Sequence, residues 1–209
     1  MRVGLFVTCL VDLMRPSVGF AALELLESAG CEVVVPATQT CCGQPGWNSG
    51  DRASARALAL KLIDEFQDCD YLVVPSGSCA GMVKRHFPEV FQGDEYQLAR
   101  ATALASRTHE LTEFLLDVLK LEKLKGEFAG TVTYHDACAG LRELGVKTQP
   151  RKLLGMVKGL KIAEMAECET CCGFGGTFSV KFGEISVQMA AAKCAHIAAS
   201  GAHAVVLGD

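Results

Sequence analysis

The spacing of the cysteines constrains the fold of this chain more than any other feature. Cys42 follows Cys9 by 33 positions, and Cys172 follows Cys138 by 34. Cys42 and Cys172 each close an adjacent cysteine pair that is followed by glycine. One apolar face of an element seldom needs both side chains of such a pair, so packing explains the motif poorly. The near-equal spacing predicts a duplicated unit in which distant cysteines are brought together.

Short apolar runs precede the cysteines of the first half, and helical patterns separate these runs. Each run predicts a buried strand of a parallel sheet. The predicted strands and the cysteines after them are Arg2–Thr8 with Cys9, Glu32–Ala37 with Cys41 and Cys42, and Tyr71–Val74 with Cys79. Because open parallel sheets bind ligands along their carboxyl edge, we expect these four thiols to converge on one site, which we call site one.

The second half repeats this pattern around Cys138, Cys171 and Cys172, which form a predicted site two. Its strands are predicted at Gly130–Ala137, Lys161–Met165 and His203–Leu207, and a helix at Phe182–Ala199. The chain ends at Asp209 without a counterpart of Cys79, so we expect site two to be incomplete.

These patterns predict an α/β fold, with two pseudo-repeated βαβαβ halves that contain parallel sheets. A long helical segment, roughly Tyr96–Leu124, is predicted to join them. The expected domains are a first half over 1–95, a helical connector over 96–128 and a second half over 129–209.

Composition excludes several classes of function. The net charge of −4 gives no electrostatic reason to expect nucleic acid or an anionic membrane as a partner. No apolar run of about 18 residues predicts a transmembrane helix, and the amino terminus has no signal-peptide pattern. Eleven cysteines, an odd number with two adjacent pairs, fit a disulfide framework poorly. We therefore expect a cytoplasmic protein whose reduced thiols can bind a metal.

Four converging thiolates are the ligand set of a [4Fe–4S] cluster or of tetrahedral zinc. Adjacent ligands are unusual for structural zinc, and neighbouring thiolates can reach different iron atoms, so the cysteine pairs favour a cluster. Gly43 and Gly173 allow the backbone to approach closely and to point N–H groups at the site. A helix is expected after each Cys-Cys-Gly turn, with its amino-terminal dipole towards the cluster. Zinc remains the alternative metal.

Other residues near these motifs have two interpretations each. His135 can donate a hydrogen bond, ligate metal or move a proton at site two, or simply be satisfied by its neighbour Asp136. Cys168 is either an additional ligand or an incidental thiol beside the site. The remaining cysteines, Cys31, Cys69 and Cys194, are expected to be small buried side chains.

The pattern of a cysteine, an adjacent pair and a further cysteine, with its repeat, resembles the cysteine-rich CCG domain of iron–sulfur oxidoreductases. The stretch CCGFGGTFSVK is specific to that family, and QTCCGQPGWNSG and VVPSGSCAGMV are similar to its lactate-utilization branch. The resemblance implies an iron–sulfur electron-transfer subunit of a cytoplasmic system that oxidises L-lactate to pyruvate. Its partners would be other iron–sulfur proteins of that system, and the isolated subunit would lack complete activity.

Two residues depart from the family pattern. Ser76 stands where the family has the first cysteine of a CxxC motif, which favours an ordinary [4Fe–4S] cluster over a noncubane one. Ala139 stands where the family commonly has histidine, so a proton or substrate role at that position is not expected. The alternatives are a related subunit of the glycolate oxidase or heterodisulfide reductase type, and a zinc-stabilised structural or assembly subunit. A thiol–disulfide protein ranks lower, because CxxC is the usual redox pair.

Overall fold

Two parallel β-sheets form the framework of the chain, and a computed structural model describes all of its residues, 1–209. One sheet belongs to unit 1, Met1–Lys120, and the other to unit 2, Leu121–Asp209. The two sheets and the helices between their strands confirm the predicted α/β class with two halves. The division into domains at 95 and 128 stays a prediction.

Unit 1 contains a four-stranded sheet in the order β2-β1-β3-β4, with every neighbouring pair parallel. Its strands are β1 (Arg2–Leu5), β2 (Glu32–Val34), β3 (Tyr71–Val74) and β4 (Thr108–Glu110). β1 and β2 are shorter than predicted at their carboxyl ends. Beyond β1, the Thr8 hydroxyl accepts a hydrogen bond from the Val11 N–H at 3.4 Å and thereby starts the next helix.

The helices of unit 1 follow from local signals in the sequence. Asp51 and Asp94 each accept a hydrogen bond from a backbone N–H three residues ahead, at 3.1 and 3.2 Å, and so cap α4 and α7. The helices are α1 (Cys9–Met14), α2 (Pro16–Ser28), α3 (Gln44–Ser49), α4 (Arg52–Phe66), α5 (Gly77–Gly81), α6 (Phe87–Val90), α7 (Glu95–Ser106) and α8 (Leu111–Glu113), with π-helical turns at Met82–His86 and Phe114–Val118.

A short strand interrupts the helical segment predicted over Tyr96–Leu124. α7 ends at Ser106, and the next residues form β4, which pairs with β3. Thr108 and Glu110 are buried on this strand, and the Thr108 hydroxyl donates to the Leu104 carbonyl at 2.7 Å. Three residues are too few to interrupt the apolar periodicity visibly. The pairing with an open edge of β3 overrides the helical pattern.

Unit 2 contains a three-stranded sheet in the order β6-β5-β7, also parallel throughout. This matches the order β2-β1-β3 of unit 1, so the predicted repeat is confirmed at the level of strand order. The strands are β5 (Glu127–His135), β6 (Lys158–Ile162) and β7 (Ala204–Leu207), and the helices are α9 (Cys138–Arg142), α10 (Thr148–Gly155), α11 (Thr177–Lys181) and α12 (Gly183–Ala199).

The cysteines outside the two sites differ in burial. Cys31 and Cys69 are buried in unit 1, as predicted. Cys194 is exposed, so its predicted burial is wrong. It lies on α12, where only Ser186 and Lys193 are buried, and the alanine-rich face that suggested a core position is largely exposed. No helix of the chain combines the length and the apolar character needed to span a membrane.

Candidate metal centre

The cysteines of site one come from the segments that follow three neighbouring strands. Cys9 begins α1 after β1, the pair Cys41-Cys42 lies between β2 and α3, and Cys79 lies in α5 after β3. β2 and β3 flank β1 on either side. The fold therefore brings these four side chains to the carboxyl edge of the sheet, where ligands of parallel sheets bind.

The four thiols of site one form one connected group. The Cys42 Sγ lies 3.3 Å from the Cys79 Sγ. The thiols of Cys42 and Cys9 both donate hydrogen bonds to the Cys41 sulfur. The hydrogen bond from Cys42, opposed by burial, lowers the pKa of Cys41 from 9.0 to about 5. Cys41 is thus a thiolate at neutral pH, with three more sulfurs in its network.

The neighbouring thiols shift in the opposite direction. Burial, together with the negative charge on Cys41, raises the pKa of Cys9 to about 11. The hydrogen bond that Cys42 gives to Cys41 raises the pKa of Cys42 well above its usual value. Cys41 therefore carries a negative charge, and the thiols of Cys9 and Cys42 keep their protons beside it. A metal ion would displace those protons, because the thiolate is the form that binds metal.

The Gly43 turn supports the charged sulfur. The backbone N–H of Gly43 donates to the Cys41 Sγ at 3.4 Å, and its φ of +84° is in the left-handed region that favours glycine. A Cβ on Gly43 would lie 3.3 Å from the Ala55 carbonyl oxygen on α4. Glycine at this position therefore allows both the turn and the close approach of α4. α3 begins directly after it, as predicted.

Ser76, at the position of a family cysteine, serves as a helix cap. Its hydroxyl oxygen accepts a hydrogen bond from the Cys79 N–H at 3.4 Å and lies 3.3 Å from the Ser78 hydroxyl. The Gln44 side-chain amide donates to the Ser78 carbonyl at 3.3 Å and so links the Cys-Cys-Gly turn to α5. These contacts hold Cys79 in position opposite Cys42.

Site two repeats the geometry of site one around three cysteines. Cys138 begins α9 after β5 and donates its thiol hydrogen bond to Cys171. Burial, that hydrogen bond and the charges of Cys171 and Cys172 raise the pKa of Cys138, with burial the largest cause. The Gly173 N–H donates to the Cys171 Sγ at 3.4 Å, the same distance as in site one. The three predicted residues of site two therefore lie together.

The second glycine is more tightly enclosed than the first. Gly173 has a φ of +86°, and a Cβ there would lie 2.7 Å from the Ser186 carbonyl oxygen and 2.8 Å from the Met189 Cβ. The Ser186 hydroxyl donates to the Gly173 carbonyl at 2.9 Å. α12 is thus fixed against the turn. Unlike α3, the next helix of unit 2 begins only after Phe174–Gly176.

His135 and Cys168 are engaged with groups beside site two. The His135 Nδ1 lies 3.1 Å from the Cys168 carbonyl oxygen, and burial followed by the charge of Lys193 lowers the pKa of His135. A neutral His135 with its proton on Nδ1 donates to that carbonyl. The Cys168 thiol donates to the buried carboxylate of Asp136. Neither contact joins the thiols of Cys138, Cys171 and Cys172.

The sequence did not reveal an ion-pair network next to Cys168, in which the Asp136 side chain is buried. Arg151 forms a bidentate ion pair with Asp136, in which Nη1 and Nη2 donate to the two carboxylate oxygens at 2.7 and 2.8 Å. It forms a second ion pair with Glu164. Asp136, Cys168 and Glu169 place ligand atoms within 4.8 Å of one another. Arg151 and Lys147 already neutralise the two carboxylates. This cluster is therefore an ion-pair network rather than a third metal site.

The donors of site one fit a thiolate-bound metal centre. Soft thiolates select zinc, copper(I) and iron–sulfur clusters. Four sulfurs match the four ligands of a [4Fe–4S] cluster or of tetrahedral zinc. The Gly43 backbone N–H donates to the Cys41 sulfur and supplies the hydrogen bond expected at a charged sulfur. Site two offers the same turn and the same N–H with three sulfurs.

Comparison with known proteins finds one matching family and several similar proteins. The cysteine-rich domain family (CCG) matches residues 3–84 and 132–209. Lactate utilization protein A of Geobacillus sp. strain WCH70 is 51% identical over 197 residues, which are 94% of this chain and 82% of the relative. Lactate utilization protein A of Geobacillus kaustophilus strain HTA426 is 49% identical over 209 residues, all of this chain and 87% of the relative. Lactate utilization protein A of Exiguobacterium sp. strain ATCC BAA-1283 / AT1b is 47% identical over 210 residues, covering 85% of that relative. The chain therefore belongs to the cysteine-rich CCG domain family.

Proposed function

We propose that this protein is an iron–sulfur electron-transfer subunit of a cytoplasmic system that oxidises L-lactate to pyruvate. The observation that carries the proposal is the connected group of four thiols at site one, with the Cys42 and Cys79 sulfurs 3.3 Å apart. The relatives named lactate utilization protein A supply the metabolic context. The partners proposed are other iron–sulfur proteins of the same system.

The residues of site one prepare it for a cluster. Cys9, Cys41, Cys42 and Cys79 are proposed as the ligands, and a [4Fe–4S] cluster bound to them would accept and release single electrons. Cys41 is already ionised at neutral pH, and the Gly43 N–H stabilises its negative charge. The same N–H contact at Cys171 supports Cys138, Cys171 and Cys172 as ligands of site two. The protein contributes binding and hydrogen bonds, and the redox chemistry belongs to the cluster.

Purification of the full chain without oxygen tests the cofactor. We expect a brown protein that absorbs near 400 nm, bleaches with dithionite, and contains iron and acid-labile sulfide in similar amounts. A colourless protein with one zinc ion per chain would instead support the structural or assembly alternative. Thiols that oxidise to a disulfide without bound metal would support the thiol–disulfide alternative.

Growth on lactate tests the metabolic context. In the source organism, deletion of the coding sequence should abolish growth on L-lactate as the carbon source and leave growth on pyruvate intact. The wild-type chain should restore growth, and the Cys42→Ser variant should not. Normal growth of the deletion strain on L-lactate, with a defect on glycolate instead, would favour the glycolate-oxidase alternative.

A further inference from the structure

In both units, a lysine on the second helix after the Cys-Cys-Gly turn contacts the chain before the cysteine pair. In unit 1, the Lys61 ammonium of α4 donates to the Thr38 carbonyl. In unit 2, the Lys193 ammonium of α12 donates to the Glu167 carbonyl and lies 3.5 Å from the Cys168 carbonyl. Thr38 and Cys168 both lie three positions before the first cysteine of their pair. The contact is thus repeated at matching places in the two halves.

The two lysines differ in their surroundings. Lys61 has a side chain that is 37% exposed, and it forms an ion pair with Glu65 at 2.7 Å. Lys193 is only 5% exposed, and its hydrogen bonds go to backbone carbonyls. Burial of an ammonium group is costly unless it is well hydrogen-bonded. The contacts with the Glu167 and Cys168 carbonyls therefore offset the cost of burying the Lys193 ammonium.

The chain segment that Lys193 contacts has an unusual backbone. Glu167 has a φ of +55°, which is uncommon for a residue other than glycine. Its carbonyl also accepts a hydrogen bond from the Thr170 N–H at 3.1 Å, and its carboxylate accepts one from the Thr170 hydroxyl at 2.7 Å. This turn leads directly into Cys171. Such a conformation persists only where the surroundings hold it in place.

The Cys168 carbonyl ties the same turn to the sheet. It accepts a hydrogen bond from the Asp136 N–H at 3.1 Å, and the His135 Nδ1 lies 3.1 Å from it on another side. Asp136 follows β5, the strand that leads to Cys138. The buried ammonium of Lys193 therefore joins α12, the strained turn and the end of β5 at one point.

We propose that Lys193 is a positioning residue for site two, and that Lys61 has the same role at site one in a weaker, solvent-exposed form. Lys193 fixes the Glu167–Thr170 turn, and the turn sets the direction in which the Cys171 and Cys172 thiols leave the backbone. Only the measurement of iron binding rests on the proposed function. The positioning itself is a property of the metal-free chain.

The test compares Lys193→Met, Lys193→Arg and Lys61→Met in the full-length chain. Hydrogen exchange of the backbone amides over 167–173 is followed by mass spectrometry in the reduced, metal-free protein. Loss of a charge-assisted hydrogen bond at a buried site should speed exchange there about tenfold in Lys193→Met. Lys193→Arg, which keeps a cationic donor, should restore most of the protection. Lys61→Met should leave 167–173 unchanged and speed exchange near Thr38 by less than about threefold, because its hydrogen bond is partly exposed.

Iron retention provides the second measurement. After reconstitution with ferrous iron and sulfide, a chelator should remove iron from Lys193→Met about tenfold faster than from wild type, since groups that orient metal ligands commonly contribute that much. Lys193→Arg should again recover. If Lys193→Met unfolds unit 2, Lys193→Gln is measured in its place with the same expectations. Wild-type exchange over 167–173 in Lys193→Met, or in Lys193→Gln where that replaces it, would overturn the inference. A wild-type chain that binds no iron would overturn the proposed function alone.

Discussion

The sulfurs of Cys42 and Cys79 lie 3.3 Å apart, although 37 positions separate these residues in the chain. Their contact joins the segment after β2 to the segment after β3, across the strand β1 that lies between them. Cys42 is 1% exposed and Cys79 is 9% exposed, so the pair forms the buried side of site one. A ligand at this site would therefore be shielded from water on the side of these two thiols.

Removal of one of these sulfurs tests which sites are loaded. Cys42→Ser should reduce the iron content of anaerobically purified protein by about half if both sites hold clusters, because a four-cysteine site then loses one ligand. Iron and sulfide analysis with EPR gives the measurement. Cys194→Ser, at an exposed cysteine remote in sequence from both pairs, is the matched control and should retain full iron.

Two other outcomes of this experiment are informative. Loss of all iron in Cys42→Ser would mean that site one alone is loaded and that site two needs a further ligand. Unchanged iron would contradict the assignment of Cys42 as a ligand.

The pH dependence of alkylation tests the thiolate at Cys41. In the reduced, metal-free protein, the hydrogen bond from Cys42 lowers the pKa of Cys41 to about 5, so iodoacetamide should modify Cys41 with a rate that rises near pH 5 and is flat by pH 7. Cys9, whose pKa is raised to about 11, should stay unreactive in that range. Tandem mass spectrometry distinguishes the modified residues. A rate for Cys41 that rises only above pH 8 would contradict the predicted network.

The same pKa shift affects stability in a defined direction. Between pH 5 and 9, the folded metal-free chain holds Cys41 as a thiolate while the unfolded chain binds a proton there. Its contribution to the free energy of unfolding is therefore present above pH 9 and is lost as the pH falls towards 5.

Cys42→Ala should remove the main donor to Cys41 and move the alkylation profile towards higher pH.

The repeated cysteine spacing was sufficient to predict the parallel sheets and the grouping of the thiols, because a strand end fixes where the next residue must lie. Cys9 and Cys138 both follow the strand that is flanked on both sides, and the turns Cys41–Gly43 and Cys171–Gly173 follow its neighbour. The two units thus share both the spacing of their cysteines and the order of their strands. The geometry of this edge is thus readable from the sequence.

Other features depend on contacts between distant residues and leave no local pattern. β4 is three residues long, and its pairing with β3 is decided by the open edge of the sheet. Arg151 and Lys193 lie in ordinary helical sequences, and only the folded chain shows that their cationic groups contact Asp136 and the Glu167 carbonyl. The burial predicted for Cys194 is wrong because an alanine-rich sequence is typical of a core helix even when one face of that helix lacks a partner.

Substitution of the second turn glycine should be strongly destabilising. Gly173→Ala combines a left-handed backbone, which costs about 1–2 kcal/mol for other residues, with a Cβ 2.7 Å from the Ser186 carbonyl oxygen. Overpacking adds about 1–3 kcal/mol, so we expect a total loss of about 2–5 kcal/mol in the free energy of unfolding. Urea denaturation of the metal-free protein measures it.

A matched control lies in the same unit. Gly201 also has a positive φ, +69°, but a Cβ at this position would have no atom within 4 Å, so Gly201→Ala should cost only the backbone strain of about 1–2 kcal/mol. Equal losses for the two variants would show that α12 does not confine the Gly173 turn as its contacts indicate.

The buried ion pair beside site two should be sensitive to loss of its acid. The Asp136 side chain is fully buried. In Asp136→Asn, the Arg151 guanidinium keeps Glu164 as its acidic partner. Loss of this charge-assisted contact at a buried carboxylate should cost about 1.5–3 kcal/mol in the free energy of unfolding, because Arg151 keeps only its contact with the exposed Glu164. Glu164 is 46% exposed, so Glu164→Gln should cost no more than about 1 kcal/mol.

Urea denaturation at low and high salt compares the two variants: the loss in Asp136→Asn should persist at high salt, since buried pairs are weakly screened. A loss in Asp136→Asn no larger than that in Glu164→Gln would mean that Glu164, rather than Asp136, is the main partner of Arg151.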